Sequence, residues 1–341
     1  MKIGVIGASG YSGGELLRLL LKHPNFSLEY IAAGTQAGSL ITDLHPQLIP
    51  LSGQKFEVTE LIRMNQCDLL FFALPHGESA KWISKIDSEI KVVDLGADFR
   101  LASSSSWEKY YGGVHAGSWV YGLPEIPGQR EKIVKATRIA NPGCYATLIA
   151  LAAAPAVSHG LIEADDIVVV AASGTTGAGR KASNYLLASE VMGSLSSYKF
   201  GGIHQHTPEI EETLTSVAGT PAKISFTPVL APMPRGILAT VTARLTKPLD
   251  SLHIHALYQE FYATEEFVTV LPGTSLPHTS AVLGSNSVLI QIAVDSHTNR
   301  LIISAAIDNL GKGAASQAIQ NANIILGLPE NTALTAIGIG T

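Results

Sequence analysis

The first candidate for chemistry in this sequence is Cys144, in the segment NPGCYAT at residues 141–147. The Asn-Pro-Gly run predicts a turn, and the apolar stretch at 148–157 predicts a helix that begins close to the cysteine. The positive end of a helix dipole lowers the pKa of a thiol and favours the nucleophilic thiolate. The alternative is a small buried side chain, the interpretation that suits Cys67, which precedes an apolar strand.

Two histidines and a glutamate form the second cluster, in the segment GGIHQHTPEIEE at 201–212. Thr207 is suited to cap a helix, Pro208 to its first position and Glu209 to its first turn. His206 would lie just outside that helix, where Glu209 could orient its imidazole. A histidine held by a carboxylate near a thiol activates a cysteine nucleophile. The His-x-His spacing also occurs in metal sites, but no third ligand is suggested, so we predict no metal. A structural histidine pair remains the alternative.

Three arginines lie beside glycine-bearing loops and could bind an anionic substrate. Arg100 ends DLGADFR, Arg180 ends SGTTGAGR, and Arg235 lies in Pro-Arg-Gly. Ligands of parallel sheets collect at the carboxyl ends of strands, where Arg100 is predicted to lie. Each arginine taken singly suits an ordinary surface charge. Together they favour a substrate that carries phosphate or carboxylate groups.

The elements that would position these residues begin with a glycine-rich segment, GASGYSG, between a predicted strand at 2–6 and a predicted helix at 12–23. Glycine permits close backbone approach, and a helix start offers free N–H groups to a diphosphate. This context predicts a dinucleotide site, with a glycine turn that binds nothing as the alternative. The predicted cofactor residues in the segment are Gly7, Ser9, Gly10, Tyr11, Ser12 and Gly13.

The end of the second predicted strand, at 27–33, indicates which dinucleotide is bound. An NAD site carries an acidic residue here that binds the ribose 2′-hydroxyl. This sequence has no acid at that point and offers the neutral donors Thr35, Gln36 and Ser39. We therefore predict NADP, whose 2′-phosphate these donors could bind, although no arginine lies nearby in the sequence.

The pattern of strands and helices predicts an α/β protein. Apolar strands alternate with helical stretches over the first ~140 residues, which is typical of a Rossmann-type, doubly wound parallel sheet. After Cys144 the strands alternate in polarity, and the segments 287–295 and 301–308 predict an antiparallel hairpin. We expect a second, α+β domain whose mixed or antiparallel sheet has one face covered by helices.

Composition limits the class of protein. The chain has 341 residues, 46% of them hydrophobic and 15% charged, with a net charge of −5. This excludes a disordered chain and argues against a nucleic-acid partner. Two distant cysteines form no disulfide framework, so we expect a cytoplasmic setting. We recognise no targeting segment, and the longest apolar run, 145–157, is shorter than the ~20 residues that span a bilayer, so we expect no membrane association.

Nine segments together resemble the N-acetyl-gamma-glutamyl-phosphate reductase family, which lies in the superfamily of aspartate-semialdehyde and glyceraldehyde-3-phosphate dehydrogenases. They keep the family's order over almost the whole chain. The segments are GASGYSGGELLRLL (7–20), ALPHG (73–77), DLGADFRL (94–101), YGLPE (121–125), NPGCYAT (141–147), SGTTGAGR (173–180), HQHTPEI (204–210), FTPVLAPMPRGI (226–237) and AIDNLGKGAASQA (306–318).

The resemblance implies an NADP-binding Rossmann domain, residues 1–143 completed by 313–341, and a catalytic and oligomerisation domain, residues 144–312. It implies that Cys144 is the nucleophile, that His206 is the acid/base and that Glu209 orients it. The other implied site residues are Arg100, Tyr198, His204, Arg180 and Arg235 for the substrate, and Ser173, Gly174 and Asn309 for the cofactor.

The reaction implied by the resemblance is the NADPH-dependent reduction of N-acetyl-glutamyl 5-phosphate to N-acetyl-glutamate 5-semialdehyde in arginine biosynthesis. It would pass through a thioester on Cys144 and release inorganic phosphate, in a homodimer or homotetramer. Two alternatives stay open. One is a reductase of a related acyl phosphate, such as aspartyl phosphate or carrier-bound aminoadipyl phosphate. The other is a non-catalytic NADP-sensing protein on the same fold, against which the intact cysteine and histidine motifs count.

Overall fold

The computed structural model describes residues 1–340 and contains two β-sheets. The first sheet has six parallel strands in the order β2-β1-β3-β4-β6-β5. Its strands are β1 (Lys2–Ile6), β2 (Ser27–Ala32), β3 (Leu69–Phe72), β4 (Lys91–Asp94), β5 (Val120–Tyr121) and β6 (Arg138–Ala140). The helices between them are α1 (Tyr11–Leu20), α2 (Ile41–Leu44), α3 (Leu61–Met64), α4 (Ala80–Ile83), α5 (Ser104–Tyr110) and α6 (Gln129–Val134).

The second sheet has seven strands of mixed direction, in the order β11-β12-β13-β10-β7-β9-β8. Its strands are β7 (Ile167–Ser173), β8 (Ser196–Ser197), β9 (Ile224–Leu230), β10 (Ile237–Arg244), β11 (Val268–Val270), β12 (Val288–Asp295) and β13 (Arg300–Ile307). The remaining helices are α7 (Cys144–Ser158), α8 (Ala188–Val191), α9 (Thr207–Ala218), α10 (Ser251–Phe261), α11 (Thr279–Val282) and α12 (Ser316–Ile325).

The first sheet is covered on both faces. Short apolar runs form its strands, because a parallel sheet between two helical layers buries both sides of each strand. One face packs on α1 and α12, and the other packs on α4 and its flanking residues. The doubly wound arrangement predicted from the sequence is therefore confirmed, with the last helix of the chain returning to the first sheet.

The second sheet is covered by helices on one face. The burial of β7 and β10 alternates along each strand, and their inward residues pack on α7, α9 and α10. The predicted hairpin is confirmed as β12 and β13, which pair antiparallel from Val288 opposite Ile307 to Asp295 opposite Arg300. The prediction of a mixed sheet covered by helices on one side is thus confirmed.

The register of the first sheet brings the candidate motifs to one edge. Ile6 pairs with both Ala32 and Phe72, and Asp94 pairs with Phe72 and Ala140. The chain therefore leaves β1, β2, β3, β4 and β6 at the same edge. Because β2 and β3 lie on opposite sides of β1, this edge contains a topological switch point, where ligands bind in open α/β sheets. The segments that meet there are 7–13, 33–39, 73–77, 95–100 and 141–144.

A π-helical turn, Gly311–Ala315, precedes α12 and lies against the start of α7. A Cβ atom on Gly313 would lie 2.8 Å from Cβ of Cys144, so glycine is needed for this approach. Nζ of Lys312, which is fully buried, donates to Glu125 at 2.5 Å and to Gln320 at 2.7 Å. This pair anchors the turn to the segment after β5.

The division into residues 1–143 with 313–341 and residues 144–312 stays a prediction, and Thr341 lies outside the described residues. Among residues 1–340, no helix combines the length and apolar character needed to cross a bilayer. The same residues contain no group of three or more His, Cys, Asp or Glu side chains arranged to hold a metal ion.

Candidate active site

Cys144 is the first residue of α7, and Gly143 is the N-cap of that helix. The side chain is half-buried, whereas residues 145–157 of the helix are buried on every side. The structure therefore places Cys144 at a helix start, where the sequence predicted it. Gly313 of the π-helical turn packs against the cysteine.

Burial decides the protonation state of this thiol. It raises the pKa of Cys144 to about 11, although the N–H of Tyr145 and the guanidinium of Arg100 both lower it. The prediction that the helix start gives Cys144 a low pKa is thus wrong for the side chain in this structure. The helix start lowers the pKa of the thiol, as predicted, but the cost of desolvating the thiolate raises that pKa by more. The thiol is protonated at neutral pH, so its attack requires a base.

His206 lies against the turn that precedes Cys144. A Cβ atom on Gly143 would overlap Nε2 of His206 and lie 2.8 Å from Nη1 of Arg100, so both side chains contact the turn just before Cys144. Burial lowers the pKa of His206 well below its usual value, and the charge of Arg100 lowers it further. The imidazole is therefore neutral at pH 7 and able to accept a proton.

His204 supports His206 through the backbone. Its Nδ1 accepts a hydrogen bond of 3.0 Å from the backbone N–H of His206. The ring is buried, with Tyr145 and Phe226 packed edge-on at centroid distances of 5.3 and 5.0 Å. Burial, together with the nearby His206, lowers the pKa of His204 far below the usual range. Because Nδ1 accepts, the neutral ring carries its proton on Nε2.

Glu209 holds the site together but does not contact His206. Its Oε1 accepts hydrogen bonds from the hydroxyl of Tyr121 at 2.7 Å and from the backbone N–H of Gly143 at 2.8 Å. Its Oε2 pairs with Nη1 of Arg100 at 3.3 Å. Nδ1 of His206 is buried with no hydrogen-bond partner among residues 1–340. The prediction that Glu209 orients His206 is therefore wrong, because three other donors occupy this buried carboxylate.

The start of α9 also differs by one residue from the sequence prediction. His206, not Thr207, is the N-cap, and its carbonyl accepts the N–H of Ile210 at 3.0 Å. Thr207 is therefore the first residue of the helix and Pro208 the second, one position later than predicted, and Glu209 lies in the first turn as predicted. From this first turn the Glu209 carboxylate reaches Gly143 and Arg100.

Arg100 is the predicted arginine that the structure places beside Cys144. Its side chain is buried, and Nη2 donates to the carbonyl of Leu95 at 2.7 Å. Nη1 lies between Glu209 and Gly143, so the guanidinium contacts the residue that precedes Cys144. A cation here favours any negative charge that develops on sulfur or on a substrate oxygen.

Arg235 is paired with two carboxylates, and its predicted role in substrate binding stays a prediction. Its Nη2 is 3.0 Å from Oε1 of Glu15 and 2.7 Å from Oδ2 of Asp308. Burial opposes ionisation of Glu15, but hydrogen bonds from Arg18 and Arg235 hold the pKa of its carboxyl below the usual value. Two carboxylates therefore occupy the guanidinium of Arg235, which joins α1 to the loop after β13.

Arg180 lies beside the glycine-rich segment, and its predicted contact with the substrate stays a prediction. Its guanidinium is 4.8 Å from the ring centre of Tyr11, at the start of α1. It donates to the carbonyl of Leu44 at 3.1 Å and lies 3.4 Å from Nδ1 of His45. The loop after β7 carries this cation across to the glycine-rich segment.

Tyr198 lies behind His204. Its hydroxyl donates to the hydroxyl of Tyr145 at 2.9 Å, and its ring centre is 5.9 Å from that of His204. The side chain is half-buried. It therefore packs against the histidine pair, and its predicted contact with substrate stays a prediction.

Asn309 braces two loops of the second domain. Its Oδ1 accepts the N–H of Gly236 at 2.8 Å, and its Nδ2 donates to Oγ1 of Thr176 at 3.0 Å. Ser173 is buried beside it and donates to the carbonyl of Gly174 at 3.2 Å. These residues form the wall that faces the first domain, and their predicted contacts with the cofactor stay predictions.

The glycine-rich segment fits a dinucleotide diphosphate. Gly7 has φ +85°, and a Cβ atom there would overlap the carbonyl of Ala73, so the turn needs glycine. A Cβ atom on Gly10 would meet only one atom, at 3.6 Å, which leaves that side of the loop open. The first-turn N–H groups of a helix have no acceptor within it. In α1 these groups include Tyr11, Ser12 and Gly13, and Ser9 lies in the turn before them.

The segment after β2 lies next to this loop, because the N–H groups of Gly7 and Ala8 both donate to the carbonyl of Ala32. Thr35 is exposed, and Gln36 and Ser39 are half-buried. Their side chains carry no formal charge, so the structure provides neutral donors where an acidic residue would exclude a 2′-phosphate.

Several residues of this site were not found by sequence reasoning. Gly143 and Tyr121 lie in the quoted segments NPGCYAT and YGLPE, but nothing local indicates that both donate to Glu209. His76, in ALPHG, packs edge-on against Tyr111 at 5.2 Å. His45 lies against the glycine-rich segment, where its Nε2 lies 2.9 Å from the carbonyl of Ala8. Of these residues, only Gly143 had a local indication in the sequence, because it belongs to the Asn-Pro-Gly turn before Cys144.

Comparison with known proteins defines the class. The family model for the NAD binding domain of semialdehyde dehydrogenase matches residues 2–136, and the model for its dimerisation domain matches residues 144–309. Aspartate semialdehyde dehydrogenase II from Vibrio cholerae superposes with a TM-score of 0.71 and 18% identity over 96% of this chain and 98% of its own. The enzyme from Candida albicans, solved with NADP, gives 0.70 and 18% over 97% and 99%. These structures share the fold.

Closer relatives define the family. "N-acetyl-gamma-glutamyl-phosphate reductase" of Acidothermus cellulolyticus is 54% identical over 99% of this chain and 98% of its own length. The protein of the same name from Salinispora arenicola is 53% identical over 99% of both chains. The chain belongs to the N-acetyl-gamma-glutamyl-phosphate reductase family. The predictions of an oxidoreductase and of a nicotinamide dinucleotide cofactor are confirmed.

The raised pKa of Cys144 leads to a prediction about alkylation. Below a pKa of about 11, the thiolate fraction should grow about tenfold per pH unit, and the rate of labelling by iodoacetamide should grow with it. Cys67, with 5% of its surface exposed and a pKa also raised by burial to about 11, should react much more slowly. Mass spectrometry of the chain labelled between pH 7 and 10 measures both rates, with Cys67→Ser as the control. A Cys144 rate that levels off below pH 8 would contradict this account.

Proposed function

We propose that this protein reduces N-acetyl-glutamyl 5-phosphate to N-acetyl-glutamate 5-semialdehyde with NADPH, as a step of arginine biosynthesis. The observation that carries the proposal is the neutral Cys144 thiol at a helix start, with neutral His206 and cationic Arg100 both in contact with the preceding glycine. An acyl phosphate needs these three functions: a nucleophile, a proton acceptor and a cation for its leaving group or its oxyanion.

In the first half of the proposed reaction, His206 accepts the proton of the Cys144 thiol as sulfur attacks the acyl carbon. A phosphate dianion close to His206 favours the imidazolium, which compensates for the low pKa of the free ring. The carbon–oxygen bond to phosphate breaks, and inorganic phosphate leaves with the electron pair of that bond. Sulfur now carries the acyl group as a thioester. N–H groups at the start of α7 stabilise the oxygen that becomes negative during the attack.

In the second half, the thioester carbon is reduced; NADPH held at the glycine-rich segment and the first turn of α1 would supply the hydride. The imidazolium of His206 returns its proton to the resulting alkoxide, which gives a thiohemiacetal on Cys144. The carbon–sulfur bond then breaks as His206 takes the hydroxyl proton, so the aldehyde and the free thiolate form. Overall, one acyl phosphate, one NADPH and one proton yield one aldehyde, one NADP⁺ and one phosphate.

The proposed cofactor is NADP rather than NAD. The segment after β2 offers Thr35, Gln36 and Ser39 and no acid. No arginine lies near this segment in the sequence. The fold supplies one from the loop after β7, because Arg180 lies over Tyr11 and against the end of α2. We infer that Arg180 binds a phosphate group of the cofactor, and that Gly7, Gly10 and the first turn of α1 hold the diphosphate.

The proposed assembly is a homodimer formed by the uncovered face of the second sheet. The strand residues in the middle of this surface, which point away from α7, carry no formal charge, and Arg244, Arg300 and Asp295 lie at one end of it. The register places them in rows across the sheet. Its central members are Val168, Val170, Leu238, Thr240, Thr242, Ile302 and Ser304. A contiguous uncharged sheet surface of this kind is suited to a second copy of the chain.

The nucleophile and the base can be tested by substitution. Cys144→Ser should abolish reduction of the acyl phosphate, because a serine hydroxyl here lacks comparable activation. His206→Ala should lower kcat by about 10²–10⁴, the usual contribution of a general acid/base. Steady-state kinetics of N-acetylglutamate semialdehyde with NADP and inorganic phosphate measures both effects. Cofactor binding, followed by calorimetry, should be unchanged. Substantial activity in Cys144→Ser would exclude the thioester, and full activity in His206→Ala would make His204 the better candidate for the base.

The cofactor proposal has its own test. The wild-type chain should show a higher kcat/KM for NADPH than for NADH, because no acid repels the 2′-phosphate. Arg180→Met should raise the Kd for NADP about 10- to 100-fold, the usual effect of losing a hydrogen bond to a charged group. Calorimetry with NADP and NAD shows which phosphate group Arg180 binds. A loss of affinity for NADP alone indicates the 2′-phosphate, and an equal loss of affinity for both dinucleotides indicates the diphosphate. The matched control is Lys181→Met, at the next position. An unchanged Kd for both dinucleotides would remove Arg180 from the cofactor site.

The dimer proposal predicts the effect of one new charge. Val170→Asp places a carboxylate in the centre of the uncovered sheet face, where a partner would bury it without a counter-charge. Light scattering after size exclusion should show the wild type as a dimer or larger and the variant as a monomer. Val114→Asp, at an exposed loop position, serves as the control. A Val170→Asp chain that keeps its wild-type mass would place the interface elsewhere.

A further inference from the structure

The proposed substrate carries both a phosphate and a carboxylate, but the three predicted arginines do not provide an unpaired cation for each of these groups. Arg235 is occupied by Glu15 and Asp308, and Arg180 lies at the cofactor loop. Arg100 remains beside Cys144, but its charge is shared with Glu209. An anion that enters this cleft therefore needs a second cation, which bears on the substrate proposed above.

Lys199 is a cation that is not paired with a carboxylate among residues 1–340. It follows Tyr198 in the segment between β8 and α9, and its side chain is exposed. No carboxylate of residues 1–340 lies within ion-pairing distance of its Nζ. Nζ instead donates a short hydrogen bond to Oε1 of Gln205. Its charge is thus held in place by a neutral acceptor and keeps further donors for an anion.

The hydrogen bond to Gln205 locates Lys199 at the mouth of the active site. Gln205 separates His204 from His206 in the chain, and its carbonyl accepts the hydroxyl of Tyr111 at 3.3 Å. The ring of His76 packs edge-on against Tyr111 at 5.2 Å, from the loop after β3. The charge of Lys199 contributes to lowering the pKa of His76, His204 and His206, after the larger effect of burial on each. The hydrogen bond to Gln205 therefore places the ammonium next to the residue that separates the two histidines.

The backbone of Lys199 is in an unusual conformation. Its φ is +42°, in the left-handed region that non-glycine residues rarely adopt, and it is one of three such residues, with Asn299 and Ala333, among residues 1–340. Glycines follow two and three positions later, at Gly201 and Gly202, and both also have positive φ values. Strained backbone of this kind concentrates at ligand sites, where the gain from positioning a side chain offsets its cost.

We propose that Lys199 is a substrate-binding residue, whose ammonium binds an oxyanion of the acyl phosphate substrate, either its carboxylate or its phosphate. The interaction is a charge-assisted hydrogen bond from the ammonium that Gln205, between His204 and His206 in the chain, holds in place. The inference rests on the proposed function, because it assigns a ligand to the same site. It gives to Lys199 the task that the sequence assigned to Arg180 and Arg235.

The test compares Lys199→Met, Lys199→Arg and the wild type in the direction of semialdehyde oxidation, with NADP and inorganic phosphate as the other substrates. Lys199→Met should raise one KM about 10- to 100-fold, the usual effect of losing a charged hydrogen bond, and change kcat by less than about threefold. Lys199→Arg should recover most of the loss. The KM that rises identifies the anion: the KM for inorganic phosphate indicates the phosphate group, and that for semialdehyde indicates the carboxylate.

A matched control is Lys247→Met, an exposed lysine after β10, at the end of the second sheet away from Cys144. It should leave both KM values unchanged. The Kd for NADP, measured by calorimetry, should be the same in all variants. A wild type with normal turnover and a Lys199→Met variant with both KM values unchanged would overturn the inference and leave the proposed function standing. A wild type that does not turn over N-acetylglutamate semialdehyde would overturn the proposed function and, with it, the inference.

Discussion

The arrangement of this active site depends on one buried carboxylate. Glu209 receives the Tyr121 hydroxyl, the Gly143 N–H and the Arg100 guanidinium, so α9, the segment after β4, strand β5 and the start of α7 meet at two oxygen atoms. A buried charge is stable only when its hydrogen bonds are satisfied, and removal of one partner leaves the others unpaired. The relative position of Cys144 and Arg100 is therefore set by a residue that need not touch the substrate.

Burial also gives the site its resting chemistry. The same desolvation that raises the pKa of Cys144 lowers that of His206, so both groups are neutral before the substrate binds. A neutral pair avoids a thiolate that would react with other electrophiles. In the proposed reaction, the proton moves when an anionic substrate changes the local field, and the helix start and Arg100 stabilise charge that develops on the reacting atoms, rather than a thiolate that exists beforehand.

Charged side chains link the elements around the first sheet to those around the second sheet. Arg235 joins Glu15 of α1 to Asp308, and Lys312 holds the π-helical turn against the segment after β5. Gly313 of that turn contacts Cys144. Neither Gly313 nor Gly143 has space for a side chain, so the π-helical turn before α12 and the turn before α7 both pack directly around Cys144 and its neighbour.

The sequence by itself determined the features that depend on neighbouring residues. Apolar runs of strand length predict the doubly wound sheet, glycine spacing predicts the loop of α1, and the Asn-Pro-Gly turn predicts Cys144 at a helix start; the structure agrees in each case. Only the tertiary structure decided the partners of the charged groups. Glu209 and Gly143 are 66 residues apart, and Arg235 lies 220 residues from Glu15. The pKa of Cys144 was likewise beyond local reasoning, because desolvation depends on the whole packed surroundings of a side chain, and no short segment of sequence contains them.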